Sequence, residues 1–301
     1  MTSISWNGVF PAVTTKLRPD FSLDVDAIKT GLERLIDAGV GGVVMMGMVG
    51  ENAQLSPEEK LSVLRTAMAV VKGRVPVISG LAETSTEKAV AFAKAAQQIG
   101  VDGLMVFPGL TYKSDSCETV AFYKAVARAS SLEILLYNNP RGYGVDLTSD
   151  VIAQLLEEKT IVAIKEESYE THRVTELISR FGSRLAVVCG VDNLIVESAA
   201  LGATCWVSGM ANAVPQASVE LLKLAVAGDF LKARRLYAAL NPLFFLDTVV
   251  KLVQHIKLAE SIVCGTAETV KPPRLNLVGE ERERTIAITN KTLVDLEAFG
   301  L

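Results

Sequence analysis

With 301 residues, 50% of them hydrophobic and 21% charged, the chain has the composition of a protein with a large core, which excludes intrinsic disorder. A net charge of -4 gives no whole-chain attraction to phosphate, so nucleic acid and anionic membrane are not expected partners; a small-molecule ligand is. The four cysteines, Cys117, Cys189, Cys205 and Cys264, lack paired metal-ligand spacing, so reduced thiols and no metal are expected.

Residues 1–13 show no basic segment followed by a long apolar one, and a cytoplasmic location is the expectation. Eight short, β-branched apolar runs then recur, at residues 8–14, 41–46, 75–79, 103–107, 134–137, 161–165, 185–189 and 204–208. Segments with apolar residues three and four apart separate them, among them 24–38, 57–71, 86–99, 118–129 and 174–181. Ser56-Pro57-Glu58-Glu59 supplies a capping serine, a proline at the first helical position and a glutamate that reaches back to the cap. Gly39, Gly100 and Gly202 follow helical segments where a left-handed stop belongs. The most apolar stretch, residues 39–50, has twelve residues and five glycines, too short to cross ~30 Å of hydrocarbon.

Alternating strands and helices of this number predict an α/β fold, a (β/α)8 barrel over residues 1–228. An open doubly wound sheet is the alternative, but the cluster Gly39, Gly41, Gly42 precedes a strand and has Val44 where a nucleotide-binding fingerprint needs its third glycine. Residues 229–301 read as a small C-terminal helical domain with segments 230–240, 244–263 and 281–298, interrupted at Asn241-Pro242 and at Lys271-Pro272-Pro273.

In such a barrel, chemistry collects at the carboxyl ends of the strands. Lys165 closes the run Ile161-Val162-Ala163-Ile164-Lys165 and is followed by Glu166-Glu167. If Ile161 and Ala163 point inward, the period of two sends Lys165 inward as well. Desolvation there would lower its pKa and supply a neutral amine able to attack a ketone. The alternative is a strand-end lysine reaching solvent. Tyr137 closes the preceding strand, ~4.8 Å away across a parallel pair, where its phenol could shuttle protons or simply pack. The segment Gly47-Met48-Val49-Gly50 offers free backbone N–H groups that could hold a carboxylate, or forms a tight turn with no ligand. Only His172 and His255 are present, and no hydrolase or nucleotide-binding motif appears.

The order of Gly47-x-x-Gly50-Glu51, Leu55-Ser56-x-Glu58-Glu59, Tyr137-Asn138-x-Pro140, Ile164-Lys165-Glu166 and Gly190-x-Asp192 resembles the dihydrodipicolinate synthase and N-acetylneuraminate lyase family. The resemblance implies a homotetramer without cofactor or metal, acting on a small 2-keto acid or its cyclic imine. It makes Lys165 the imine-forming lysine and Tyr137 the proton-transferring tyrosine. Met48 and Val49 take the carboxylate-binding positions that usually carry Ser or Thr. Gly142 stands where true synthases place an arginine, with Arg141 one step earlier, and Tyr112 lies close to a relay-tyrosine position. These departures disfavour dihydrodipicolinate synthase activity.

The pattern Tyr137-Asn138-Asn139-Pro140 with Tyr143-Gly144-Val145-Asp146-Leu147, together with Tyr112-Lys113 and Trp206-Val207-Ser208-Gly209, is more similar to the 1-pyrroline-4-hydroxy-2-carboxylate deaminases. The resemblance thus gives Lys165 and Tyr137 as catalytic residues and Gly47, Met48, Val49, Gly50, Tyr112, Arg141, Gly190 and Val207 as substrate-binding ones. Alternatives are an aldolase or dehydratase of a 2-keto-3-deoxy sugar acid, and a catalytically inactive ligand-binding barrel.

Overall fold

The computed structural model describes residues 3–109 and 111–301. Leu110, inside the expected tyrosine loop, and Met1 and Thr2 lie outside the described residues. The order begins β1 (Gly8–Pro11), α1 (Val25–Asp37), β2 (Val43–Met45), α2 (Pro57–Val71), β3 (Val77–Leu81), α3 (Thr86–Ile99), β4 (Gly103–Val106) and α4 (Ser116–Ala127). It continues with β5 (Glu133–Asn138), α5 (Pro140–Tyr143), α6 (Ser149–Leu155), β6 (Ile161–Glu166), α7 (His172–Phe181), β7 (Ala186–Cys189), α8 (Ile195–Ala200), β8 (Cys205–Ser208) and α9 (Pro215–Val226). Three helices come after these: α10 (Phe230–Phe244), α11 (Leu252–Cys264) and α12 (Gly279–Glu297).

The eight strands among the described residues are all parallel, in the order β1-β8-β7-β6-β5-β4-β3-β2. A bridge between Ala12 and Val44, with the Val13 N–H donating to the Val44 carbonyl at 2.9 Å, brings the two ends together. The expected (β/α)8 barrel is therefore observed. Strands buried on both faces need apolar residues throughout, which is why each run lacks polar alternation. Ile134, Leu136, Ile161 and Ile164 pack outward beneath the helices, while Leu135, Tyr137 and Ala163 belong to a second cluster.

Helix ends obey the local rules. Ser56 accepts from the Glu59 N–H at 3.2 Å and Glu59 accepts from the Ser56 N–H at 2.8 Å, a reciprocal cap that stabilises α2 by about 1 kcal/mol. Gly39, Gly100 and Gly202 adopt φ of 82°, 94° and 108°, the left-handed stops read from sequence.

Three local expectations are corrected. Pro242 does not break its helix, because α10 runs two residues beyond it. Near a C-terminus its missing N–H costs one backbone bond, and burial of Leu243 and Phe244 offsets that loss. Residues 244–263 are likewise not one helix: Phe245–Thr248 forms a 3-10 turn and α11 starts at Leu252. Ile161 also does not point inward with Ala163. The register with β5 slips between Ile134–Ile161 and Leu135–Ala163, so one extra residue, Val162, breaks the period of two.

No helix among the described residues is long and apolar enough to cross a membrane.

Candidate active site

The slipped register sets the site. Without it Tyr137 would oppose Ile164; with it, Tyr137 pairs with Lys165 across β5 and β6. The Lys165 ammonium lies 4.1 Å from the centroid of the Tyr137 ring, and both residues are buried. Phe107 and Tyr143 pack edge-on against Tyr137, with centroids 4.7 and 5.6 Å away, holding the phenol in one orientation.

Lys165 reaches a narrow cavity of about 20 Å³ at the carboxyl ends of the strands. Gly47, Met48 and Val49 wall one side, Gly190 and Val207 another, and Glu167, Asp247 and Leu252 complete it. Gly190 is required there: a Cβ would stand 2.9 Å from both Cγ and Cε of Lys165. A larger cavity, about 680 Å³, opens instead among residues at or before the starts of the strands, including Trp6, Glu133, Lys159 and Thr204. That end of a barrel reads as stability rather than chemistry.

The turn after β2 is held from behind. Asn52 donates to the Met46 carbonyl at 2.9 Å and the Gly80 carbonyl at 3.2 Å. Gly80 permits this, since a Cβ would lie 2.0 Å from the Met46 oxygen. Glu51, fully buried with φ 56°, accepts from Lys257 of α11 and from the Lys271 N–H, each at 2.7 Å. The C-terminal segments thereby clamp the turn. Among the described residues no protein atom accepts from the N–H groups of Met48 or Val49, which leaves two donors for an anion.

The electrostatics correct the expected lowering of the lysine. Burial does pull Lys165 down, but the charge and hydrogen bond of Glu167, 2.5 Å away, outweigh it, and its pKa lies above the ordinary value. Lys165 rests as an ammonium. Burial, then the charge of Glu167, raises the Tyr137 hydroxyl well above its usual range, so the phenol is protonated at rest. Asp192 accepts from Trp206, Ser208 and the Met210 N–H at 3.0, 3.1 and 2.8 Å, fixing the end of β8. Burial still pushes Asp192 up to about 6. Asp247 is raised well above its ordinary value by burial and then by the charges of Asp192 and Glu167. These groups can hold and move protons around one primary amine.

The sequence pattern of the dihydrodipicolinate synthetase family matches residues 5–292. The chain belongs to that family. A 4-hydroxy-tetrahydrodipicolinate synthase of Methanothrix thermoacetophila is 36% identical over 247 residues, 81% of this chain and 83% of the relative. Another so named, from Methanosphaerula palustris, is 30% identical over 290 residues, 94% of this chain and 97% of the relative. The solved structure of the 4-hydroxy-tetrahydrodipicolinate synthase from Methylacidiphilum fumariolicum superposes with a TM-score of 0.93 at 28% identity, covering 97% of each chain.

As a member of the dihydrodipicolinate synthetase family the chain is a class I lyase or aldolase type of enzyme. The relatives' names leave synthase activity open, and the sequence argument against it from Met48, Val49 and Gly142 finds no support in them. Within this family frame the predicted residues divide. Gly47, Met48, Val49, Tyr137, Lys165, Gly190 and Val207 meet at the cavity. Gly50 sits behind it, its carbonyl accepting from Thr15 at 2.7 Å.

Tyr112 is 60% exposed and donates to Glu118 at 2.8 Å, while the Arg141 guanidinium stacks 4.3 Å from the Tyr169 ring. Neither lines the cavity. Sequence reasoning missed Glu167, Asp247 and Tyr143. Glu167 carried a signal, two residues after Lys165 on the same face of an extended chain. Asp247 carried another, a lone acid in the apolar run Phe244-Phe245-Leu246-Asp247-Thr248-Val249-Val250.

Proposed function

We propose that the protein forms an imine between Lys165 and a small 2-keto acid or its cyclic imine, and that its substrate is 1-pyrroline-4-hydroxy-2-carboxylate. The supporting observation is one buried amine at a cavity wall, beside a phenol, in a cavity also lined by Met48 and Val49, whose backbone donors are unclaimed. The substrate carboxylate binds the Met48 and Val49 N–H groups, which places C2 against Lys165. The amine adds to C2, the ring nitrogen leaves C2 as an amine, and Tyr137 moves protons between them. Loss of the hydroxyl beta to the new imine and addition of water then give 2,5-dioxopentanoate and ammonia, one water consumed for each ammonia released.

A second reading, 4-hydroxy-tetrahydrodipicolinate synthase, is favoured by the names of the relatives at 36% and 30% identity. The two reactions share the imine and diverge in the steps after it. Borohydride trapping with pyruvate and with the hydroxypyrroline carboxylate, combined with peptide mass analysis, should place an adduct on Lys165. Ammonia release then supports the deaminase, formation of 4-hydroxy-tetrahydrodipicolinate the synthase, and the lack of any adduct refutes both. The same reading carries a homotetramer in the cytoplasm; exposed Val250, Leu275 and Val278 are surfaces a partner copy would cover, and sedimentation measures the assembly.

A further inference from the structure

Met48 and Val49 give the turn after β2 amide donors but no side-chain hydroxyl. If Lys165 forms the imine, a premise on which the whole inference rests, protons that leave its nitrogen and reach the departing substrate atom need another carrier. We propose that Glu167 is that carrier, a catalytic carboxylate that accepts a proton from Lys165 and delivers it, together with Tyr137, to the substrate.

Two consecutive glutamates come directly after the lysine and their surroundings differ. Glu166 is saturated: it accepts from Asn138 at 3.0 Å, the Ser168 N–H at 2.8 Å and Arg173 at 3.1 Å. Glu167 turns into the cavity instead. Its Oε2 stands 2.5 Å from the Lys165 nitrogen, and the Tyr137 hydroxyl also lies close enough to hydrogen-bond the carboxylate. Its Oε1 accepts from the Asn139 amide at 3.0 Å, and that same amide nitrogen lies 3.2 Å from the Tyr137 oxygen. One carboxylate thus joins the nucleophile to the phenol, with one oxygen anchored and the other placed to receive a proton. Lys165, Tyr137, Tyr143, Tyr169, Asp247 and Cys189 are the titratable groups that feel its charge.

The step balances for a 2-keto acid. Lys165 begins as an ammonium and Glu167 as a carboxylate. One proton passes from nitrogen to Glu167, and the freed lone pair forms the bond to C2 as the carbonyl π pair moves to oxygen. That oxygen takes the proton. The second nitrogen proton takes the same route as the C–O bond breaks and water leaves. An iminium has replaced the ammonium, and Glu167 is a carboxylate again.

A mere counter-ion would behave differently. Removing it lowers the Lys165 pKa, leaves more neutral amine at every pH and speeds addition. Rapid quenching with borohydride after mixing with pyruvate, over about pH 6 to 9, separates the two. Glu167→Gln should form the adduct about 100-fold more slowly than the native enzyme. Glu167→Ala should be equally slow and partly restored by added formate, while Glu167→Asp keeps a carboxylate and should lose less, which covers the case that the other variants fold poorly. Adduct formation by Glu167→Gln at the native rate or faster, with its alkaline limb moved to lower pH, overturns the assignment, as does the absence of formate rescue in folded Glu167→Ala. If the native enzyme traps neither pyruvate nor the hydroxypyrroline carboxylate, the imine reading itself has failed.

Discussion

Lys257 and Glu51 meet at 2.7 Å between α11 and the turn after β2, and Lys165 and Glu167 meet at 2.5 Å at the mouth of the barrel. Burial is the leading influence on both lysines. It wins at Lys257, which falls below its ordinary value with Lys16 nearby adding to the effect. It loses at Lys165, where Glu167, Asp247 and Tyr143 surround a single ammonium. The acids differ as well. Both oxygens of Glu51 are engaged by structural donors, whereas one Glu167 oxygen meets Lys165 at the cavity wall. A closed, saturated pair fastens two parts of the chain. A pair at a cavity wall can exchange a proton with something that enters. Burial by itself does not make a lysine a nucleophile.

The sharpest way to break this contrast is to remove each lysine's function in turn. Lys165→Met should abolish the borohydride adduct and lower kcat by on the order of 10⁴-fold or more; retained turnover would mean that the amine at the cavity is not the nucleophile. Glu51→Ala leaves Lys257 a buried cation without its partner and should cost about 3–5 kcal/mol in urea unfolding. Replacing both, Glu51→Gln with Lys257→Met, should recover much of that loss, because no isolated charge remains.

Asp192, whose charge bears on Asp247 at the cavity wall, offers a test through pH. Its pKa is about 6 in the fold against 3.8 for a free aspartate, so between those values the native state holds a proton that the unfolded chain has released. Stability therefore falls as pH rises through that window. Asp192→Asn should lack this fall, a difference of at most about 3 kcal/mol, measured as the two proteins' urea midpoints from acid to neutral pH. Equal slopes would show that Asp192 ionises normally. The smallest effect is expected from Tyr137→Phe, which keeps the aromatic packing and loses the proton: about 100-fold in kcat, roughly 2.7 kcal/mol. A larger fall in unfolding midpoint than in kcat would make Tyr137 a packing residue.

Much of the fold and of the site was legible in the residues. Eight apolar runs and the helices between them were set by local patterning, and the cap at Ser56 and the glycine stops at Gly39, Gly100 and Gly202 arise from backbone chemistry within a few residues of each. Arg141 and Tyr112 do not line the cavity, a placement the sequence leaves open because it shows proximity along the chain, not direction: one stacks on Tyr169 and the other bonds Glu118. In the sequence Pro242 looks like a break because the local rule counts the lost hydrogen bond but not the burial of Leu243 and Phe244 beyond it.

The sequence by itself determined the barrel, since strands apolar on both faces can be satisfied only by a sheet covered with helices, and it singled out Lys165 and Tyr137 at neighbouring strand ends. Only the tertiary structure decided that the two stand side by side, because an extra residue at Val162 shifts the pairing of β5 and β6. It also decided the charge of the amine. That charge depends on Glu167 and on Asp247, which is 82 positions after Lys165 in the chain; electrostatic energy depends on distance through space, and folding alone sets that distance.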